Sequence, residues 1–252
     1  IVAVLLTTLP AMGVGFDMLS STPMGSWQLR QEIQTDPKGK QTLSEVKTSL
    51  VGEETRNGVD YVWMEIAAEN FRFKNGKKGR PQGDRVVMKI LMEKSLLKGE
   101  DPEDIFNNMR GMGKEIIMQS GNEDPMMIEE GGMMGNAMLQ SMGAEFDYKF
   151  NETGSDRVSV PAGNFKCTVI EGSGKMESKI VFKTIRVDST TKQWYSKEVP
   201  FGVVKMNSTS ETDGKVSRTE SVLVDYGTSG AKSEIKGTPQ KMNMPSLGDL
   251  FG

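Results

Sequence analysis

The stretch "WYSKEVPFGVVKM", Trp194–Met206, contains two β-prone runs separated by a Pro-Phe-Gly group. Pro200 suits the second position of a β-turn, because its ring fixes φ near the value required there, and Gly202 suits the fourth. The stretch therefore predicts a β-hairpin whose arms carry Trp194 and the pair Val203-Val204. It contains no recognisable nucleophile, metal-ligand set or phosphate-binding loop, so its organisation indicates architecture rather than chemistry.

Alternation of apolar and polar residues continues on both sides of this hairpin. Upstream, four runs between residues 25 and 95 alternate with period two, and Asn57-Gly58 is a strong hairpin signal between the second and the third. From Ala144 onward, seven short runs alternate in the same way and are separated by turn-like groups such as "ETGS", "GSG" and "STTK". This pattern predicts an antiparallel sheet of about ten or eleven strands.

The middle of the chain, about residues 101–142, has a different pattern. Asp101 suits a helix N-cap and Pro102 the first helical position, and apolar residues up to Ile116 and Ile117 follow at helical spacing. Further along, methionines four residues apart predict a second short helix. The fold class is therefore mainly β (α+β): one curved antiparallel sheet with a helical, methionine-rich insert on its concave face.

Residues 1–15, "IVAVLLTTLPAMGVG", resemble the second half of a secretory signal peptide, since an apolar run ends on small residues. A retained anchor in contact with the membrane is the alternative, although a membrane-spanning helix needs ~20 residues. We expect a single domain over residues 16–237 and a flexible tail over 238–252. The expected location is the periplasm or cell envelope, after secretion across the inner membrane.

Composition argues against several classes of function. The chain has no histidine, which removes the commonest general base and the commonest metal ligand, and its formal charge of −3 gives no reason to expect nucleic acid. The basic cluster from Lys74 to Arg80 lies in a Gly-rich stretch typical of an exposed hairpin tip. The single cysteine, Cys167, sits in an alternating run that favours a buried structural role. We therefore expect no enzymatic activity, no cofactor and no catalytic residues.

Methionine is the one residue type in excess, and nine of the nineteen lie between Met109 and Met142. Three interpretations stay open: plain core or lid packing, a groove for an apolar ligand or a hydrophobic partner segment, and a Cu(I) site built from thioethers. The predicted groove residues, placed on one side of the helical insert, are Ile105, Phe106, Met109, Met112, Met134, Met138 and Met142.

Three motifs between Val158 and Gly227 carry a resemblance to a known family: "VPAG-x-F-x-C", "W-x-S-x-x-V-P-x-G-V-V-K-M" and a strand ending "VDYG". They resemble uncharacterised bacterial envelope proteins related to the outer-membrane lipoprotein carrier and receptor family. The resemblance implies an incomplete β-barrel wrapped over helices. It also implies a non-enzymatic protein that binds a lipid, a lipoprotein acyl chain or a hydrophobic partner segment. The alternative is a structural or accessory subunit of an envelope assembly.

Overall fold

The computed structural model describes residues 21–95, 114–129, 145–180 and 183–241. Thirteen strands account for most of them, and no α-helix occurs in these ranges; accordingly, no helix in them could cross a membrane. The strands are β1 (Trp27–Thr35), β2 (Gln41–Arg56), β3 (Val59–Lys74), β4 (Lys77–Pro81), β5 (Val86–Glu93), β6 (Glu115–Ser120), β7 (Met126–Glu129), β8 (Glu145–Val160), β9 (Gly163–Ile180), β10 (Lys183–Tyr195), β11 (Val203–Thr212), β12 (Lys215–Gly227) and β13 (Gln240–Lys241).

All thirteen strands belong to one curved sheet that does not close, which confirms the predicted sheet. Its order is β13-β7-β6-β5-β3-β2-β1-β12-β11-β10-β9-β8, with β4 paired to β3 alone. Strand β1 lies at the centre and joins two meanders, which we call the N-terminal half (β1–β7 with β13) and the C-terminal half (β8–β12). Every pairing is antiparallel except that of β13 with β7.

The tight-turn signals at Asn-Gly, Asp-Gly and Pro-Phe-Gly are confirmed. Asn57-Gly58 has positive φ at both residues, as a type I′ hairpin turn requires, and Asp213-Gly214 does the same between β11 and β12. In the opening hairpin, the Gly202 N–H donates to the Val199 carbonyl at 3.0 Å, which places Pro200 second and Gly202 fourth in the turn. Strands β10 and β11 form the predicted arms.

The glycine of the "VDYG" motif, Gly227, is required because a tryptophan side chain lies very close to its backbone. Gly227 lies directly opposite Trp27 across the β1–β12 pair. A Cβ atom at residue 227 would lie 2.6 Å from Trp27 Nε1, so any other residue would displace the indole. This motif residue therefore serves the junction between the two halves of the sheet.

The predicted helical insert is wrong where the structure describes it. Residues 115–120 and 126–129 form β6 and β7, which extend the meander beyond β5. Ile116 and Ile117 pack on opposite faces of the sheet, in two different apolar clusters. Adjacent apolar residues fit a strand buried on both faces as well as a helix, because periodicity over so short a run does not distinguish them. Residues 101–113 and 130–142 of the insert, including Asp101 and Pro102, lie outside the described residues.

The strand count also differs from the prediction in both halves. The C-terminal half has fewer and longer strands than predicted, whereas the N-terminal half has more. The seven short runs form five strands of up to 18 residues. The "ETGS" group lies inside β8 and forms a bulge between Glu152 and Gly154, while Gly172 and Gly174 lie inside β9. Continuous pairing with the neighbouring strands outweighs the turn preference of these residues, which is only a local tendency. Strands β4, β6, β7 and β13 raise the total above the expected ten or eleven.

The central strands of the N-terminal half are buried on both sides. We call face A the side that carries Met64, Met88 and Ile116, and face B the side that carries Trp63 and Leu91. All seven residues Tyr61–Ala67 of β3 are buried, so this strand shows no alternation in its exposure. Such a pattern is typical of a central strand covered on both faces.

Residues 228–239, which we call the C-terminal strap, cross face B of the N-terminal half. The carboxylate of Glu65, only 2% exposed, accepts hydrogen bonds from Ser233 Oγ at 2.6 Å and the Glu234 N–H at 2.8 Å. The Gln119 amide accepts from the Lys236 N–H and donates to its carbonyl. Ile235 packs against Trp63, Leu91 and their neighbours. Beyond the strap, β13 pairs with β7, within the range predicted as a tail.

Candidate binding surfaces

None of the seven predicted groove residues falls within the described part of the chain. They lie in the segments that join β5 to β6, residues 96–113, and β7 to β8, residues 130–144. The predicted groove therefore remains a prediction on its insert side. The residues concerned are Ile105, Phe106, Met109, Met112, Met134, Met138 and Met142.

Face A of the N-terminal half carries a methionine-rich apolar cluster. Met64, Met88 and Met92 are buried in it, and Met118 packs at its margin. Their neighbours are Val46, Leu50, Val62, Ile66 and Ile116. Among the described members of this cluster, only Phe201 comes from outside the N-terminal half. Sequence reasoning concentrated on the methionines of the insert and missed those of the sheet, although Met88 and Met92 stand at even spacing in a run predicted to be a strand.

Phe201 links the two halves of the molecule. It lies in the turn between β10 and β11, yet its ring is 5% exposed within the cluster on face A. Its φ is 62°, in the left-handed region that disfavours residues with a Cβ. Its N–H donates to Thr22 Oγ1 at 3.4 Å. Burial of the ring offsets a backbone conformation in which glycine would be the usual choice at this position of the turn.

The central strand β1 turns polar side chains toward face A. We call four residues the polar stripe: Ser26, which directly precedes β1, and Gln28, Arg30 and Glu32 within it. They are between 0% and 7% exposed. Arg30 Nη2 lies 3.4 Å from Glu32 Oε1, and Ser221 Oγ on β12 donates to the same carboxylate oxygen at 3.4 Å. The intervening residues Trp27 and Leu29 are only half-buried on the opposite face. Sequence reasoning missed this arrangement because alternation does not tell which face of a strand is covered.

Within the polar stripe, several buried atoms lack a hydrogen-bond partner among the described residues: Ser26 Oγ, Gln28 Oε1 and Arg30 Nε. Buried polar groups in proteins are normally paired with protein or with ordered water. The stripe thus offers both an acceptor, the amide oxygen of Gln28, and donors, the guanidinium Nε–H and the serine hydroxyl.

A polar groove of about 520 Å³ runs over β8 to β11 in the C-terminal half. Its walls include Asn151, Asn207 and Thr209, and Lys192 Nζ lies 2.8 Å from Glu171 Oε1 across it. A second depression of about 430 Å³ adjoins it and contains Lys175 and Asp188. The charged side chains in both are exposed, which is typical of a solvated sheet surface.

The described residues offer little for catalysis. Burial, together with the nearby carboxylates of Asp156 and Glu198, raises the pKa of the Cys167 thiol to about 11, so the thiol stays protonated and is a poor nucleophile. In the part of the chain that the structure describes, no three His, Cys, Asp or Glu side chains are grouped to hold a metal ion. The Cu(I) interpretation concerns methionines of the insert and stays a prediction.

Residues 107–228 match the model of the DUF3108-like family. No curated protein matches the chain. Among solved structures, a candidate exported protein with a YmcC-like fold from Bacteroides fragilis NCTC 9343 is 14% identical, with a TM-score of 0.38, and the alignment covers 82% of this chain and 97% of that one. A candidate lipoprotein from Parabacteroides distasonis ATCC 8503 is also 14% identical, with a TM-score of 0.36 and coverage of 82% and 96%.

Proposed function

We propose that the protein is a non-enzymatic, exported protein of the cell envelope that holds an apolar ligand, of the acyl-chain class, against the methionine-rich face A. The observation that carries the proposal is the apolar cluster on that face, in which three buried methionines and Met118 lie on three adjacent strands, β3, β5 and β6. Export is the expectation from the signal-like residues 1–15, which lie outside the described part of the chain.

Methionine suits a surface that accepts apolar guests. Its unbranched side chain and polarisable sulfur adapt to irregular shapes at small energetic cost. Met64 on β3 stands opposite Ile90 on β5. Met88 and Met92 lie two residues before and after Ile90 on the same face, so the three methionines are neighbours. An acyl chain across these strands would contact several thioethers at once, and each buried CH₂ group of the chain contributes about 0.8 kcal/mol.

The predicted groove residues lie on two segments that join strands of the sheet. Residues 96–113 connect β5 to β6, and residues 130–144 connect β7 to β8. In the proposal, the methionines of these segments supply the other side of the site, and the sheet supplies the side described above.

Fluorescence of N-phenyl-1-naphthylamine, an apolar probe, tests the proposal on the sheet side. We expect the purified protein to bind the probe and Met118→Gln to weaken binding by about tenfold, because an amide at the margin of face A must be desolvated when the guest enters. Met118→Leu should bind normally. Met24→Gln is the matched control, since Met24 is 37% exposed and belongs to none of the apolar clusters. Equal binding by Met118→Gln and Met24→Gln would remove face A from the proposal.

The insert side is tested by the double variant Met134→Gln/Met138→Gln. Weaker probe binding with an unchanged circular dichroism spectrum is the expected result. Unfolding without a change in binding would mean that these methionines are only core. Native mass spectrometry of protein purified from its own source separates the proposal from the structural-subunit alternative, because a bound lipid adds less than a kilodalton and a partner chain adds many.

A further inference from the structure

We propose that the polar stripe of β1 binds the uncharged, hydroxyl-bearing head group of the amphiphile whose acyl chain lies on face A. This inference rests on the proposed function and names the ligand more closely. The stripe consists of Ser26, Gln28, Arg30 and Glu32, and it lies on the same face of the sheet as the methionine-rich cluster.

The register of the sheet places the stripe directly beside the apolar surface. Arg30 stands opposite Val46 on β2, and Val46 belongs to the cluster on face A. Gln28 stands opposite Thr48, whose partner on β3 is Ile66. Side chains that stand opposite each other in an antiparallel pair have Cβ atoms about 5 Å apart. A ligand whose chain crosses β3 and β2 therefore reaches β1 with its polar end.

The unpaired atoms of the stripe define what the head group must offer. Gln28 Oε1 needs a donor, and Arg30 Nε and Ser26 Oγ can each donate. A hydroxyl group both donates and accepts, so a head group with two hydroxyls, such as that of a monoacylglycerol, can pair with Gln28 Oε1 and with a neighbouring donor of the stripe. A purely apolar ligand would leave them unpaired, which is costly in a buried site.

Charge disfavours an anionic head group. The guanidinium of Arg30 is already paired with the Glu32 carboxylate, and both side chains are more than nine-tenths buried. The pair is neutral overall, so a bound carboxylate or phosphate would be desolvated close to Glu32 without an unpaired cation to compensate it. Val46 and Leu223, which stand opposite Arg30 on either side, carry no charge.

Competition for bound N-phenyl-1-naphthylamine tests the inference with ligands of equal chain length. The competitors are 1-monolauroylglycerol, laurate and dodecyltrimethylammonium, all used below their micellar concentrations. We expect monolauroylglycerol to compete about tenfold better than laurate, a difference equivalent to one or two hydrogen bonds to the stripe. Gln28→Leu should reduce this preference about fivefold, because the acceptor for the hydroxyl group is then missing.

Gln31→Leu is the matched control, because Gln31 lies on the same strand, faces the other side of the sheet and bonds to Glu45. A second variant, Arg30→Met/Glu32→Leu, removes both charges together and so leaves neither one buried alone; it should also lose the preference. A preference for laurate in the unmodified protein would overturn the neutral-head assignment. Competition that does not depend on head group, or on the two variants, would mean that the stripe holds water only. Absence of probe binding by the unmodified protein would instead overturn the proposed function itself.

Discussion

The two halves of the sheet bury their strands in different ways. In the N-terminal half, β3 has seven consecutive buried residues, Tyr61–Ala67, because face A carries the methionine-rich cluster and face B lies under the C-terminal strap. In the C-terminal half, β12 is of similar length, yet only Ser221 and Leu223 are buried. Strands of one sheet thus differ according to how many layers cover them, and this difference sets where substitutions should be costly.

The core of the C-terminal half is concentrated at one end of its long strands. Phe165, Cys167 and Trp194 pack there, and Trp194 Nε1 donates to Asp156 Oδ2 at 3.1 Å. At the other end of the same strands lies the polar groove with Lys192 and Glu171. We therefore expect the largest effects where the halves meet and the smallest in this groove.

Phe201→Ala should lower the unfolding free energy most, because Phe201 lies in a turn of the C-terminal half and its side chain is buried in the N-terminal half. Truncating a buried Phe costs about 3–5 kcal/mol of unfolding free energy, which urea denaturation would measure. Phe73→Ala, at a half-buried position near the β3–β4 tip, is the control and should cost clearly less. Alkylation of Cys167, which is buried in the C-terminal half, reports whether that half opens too. If labelling is unchanged in Phe201→Ala, the halves are not coupled through this residue.

Acidification should loosen the strap without first affecting the C-terminal half. Burial opposes ionisation of Glu234, but the hydrogen bonds and charges of Arg85 and Lys47 outweigh it and lower the pKa of this carboxyl. A folded-state pKa below the unfolded one stabilises the protein above the unfolded value of about 4.3, and the stabilisation is lost as pH falls through the folded-state value. We expect protection of the Ala231 and Lys236 amides from hydrogen exchange to fall in that range.

Glu234→Gln supplies the control for the acid effect. It should lower protection of the strap at pH 7 by up to about fivefold, as expected for a partly exposed ion pair, and the remaining protection should no longer depend on this carboxyl. Glu220→Gln, at an exposed site of β12, should leave the strap unchanged. An unaltered pH profile in Glu234→Gln would show that other groups hold the strap.

Lys192→Gln should have the smallest effect. Its ion pair with Glu171 spans the polar groove, and both side chains are almost half exposed. Pairs of this kind contribute roughly 0–1 kcal/mol, so the unfolding free energy should change by less than about 0.5 kcal/mol. Urea denaturation at low and high salt checks this. A loss comparable with that of Phe201→Ala would mean that the groove is part of a core and not a solvated surface.

Local sequence signals were sufficient to predict the connections in which a tight turn requires particular backbone angles. Asn57-Gly58 and Asp213-Gly214 supply the positive φ angles of tight hairpins, and Pro200 and Gly202 supply their turn, so these connections could be predicted from the residues alone. Turn preference was misleading at "ETGS" and around Gly172, where the same residue types lie within long strands. Pairing with other strands determines the conformation there, since β8 pairs with β9, and β9 pairs with both β8 and β10. The paired residues, such as Gly154 with Val169 and Gly172 with Thr191, are too far apart in sequence for a local turn preference to register them.

The sequence by itself determined that the chain forms antiparallel β-structure with its hairpins at particular residues, because period two and turn chemistry are properties of neighbouring residues. Only the tertiary structure decided which surfaces are covered. Alternation in β1 is the same whether Trp27 or Gln28 faces inward, and the answer came from the strands beside it, of which β12 lies almost 200 positions further along the chain. The run around Ile116 and Ile117 became a strand for the same reason: β5 offered it a partner edge, and apolar neighbours covered both of its faces.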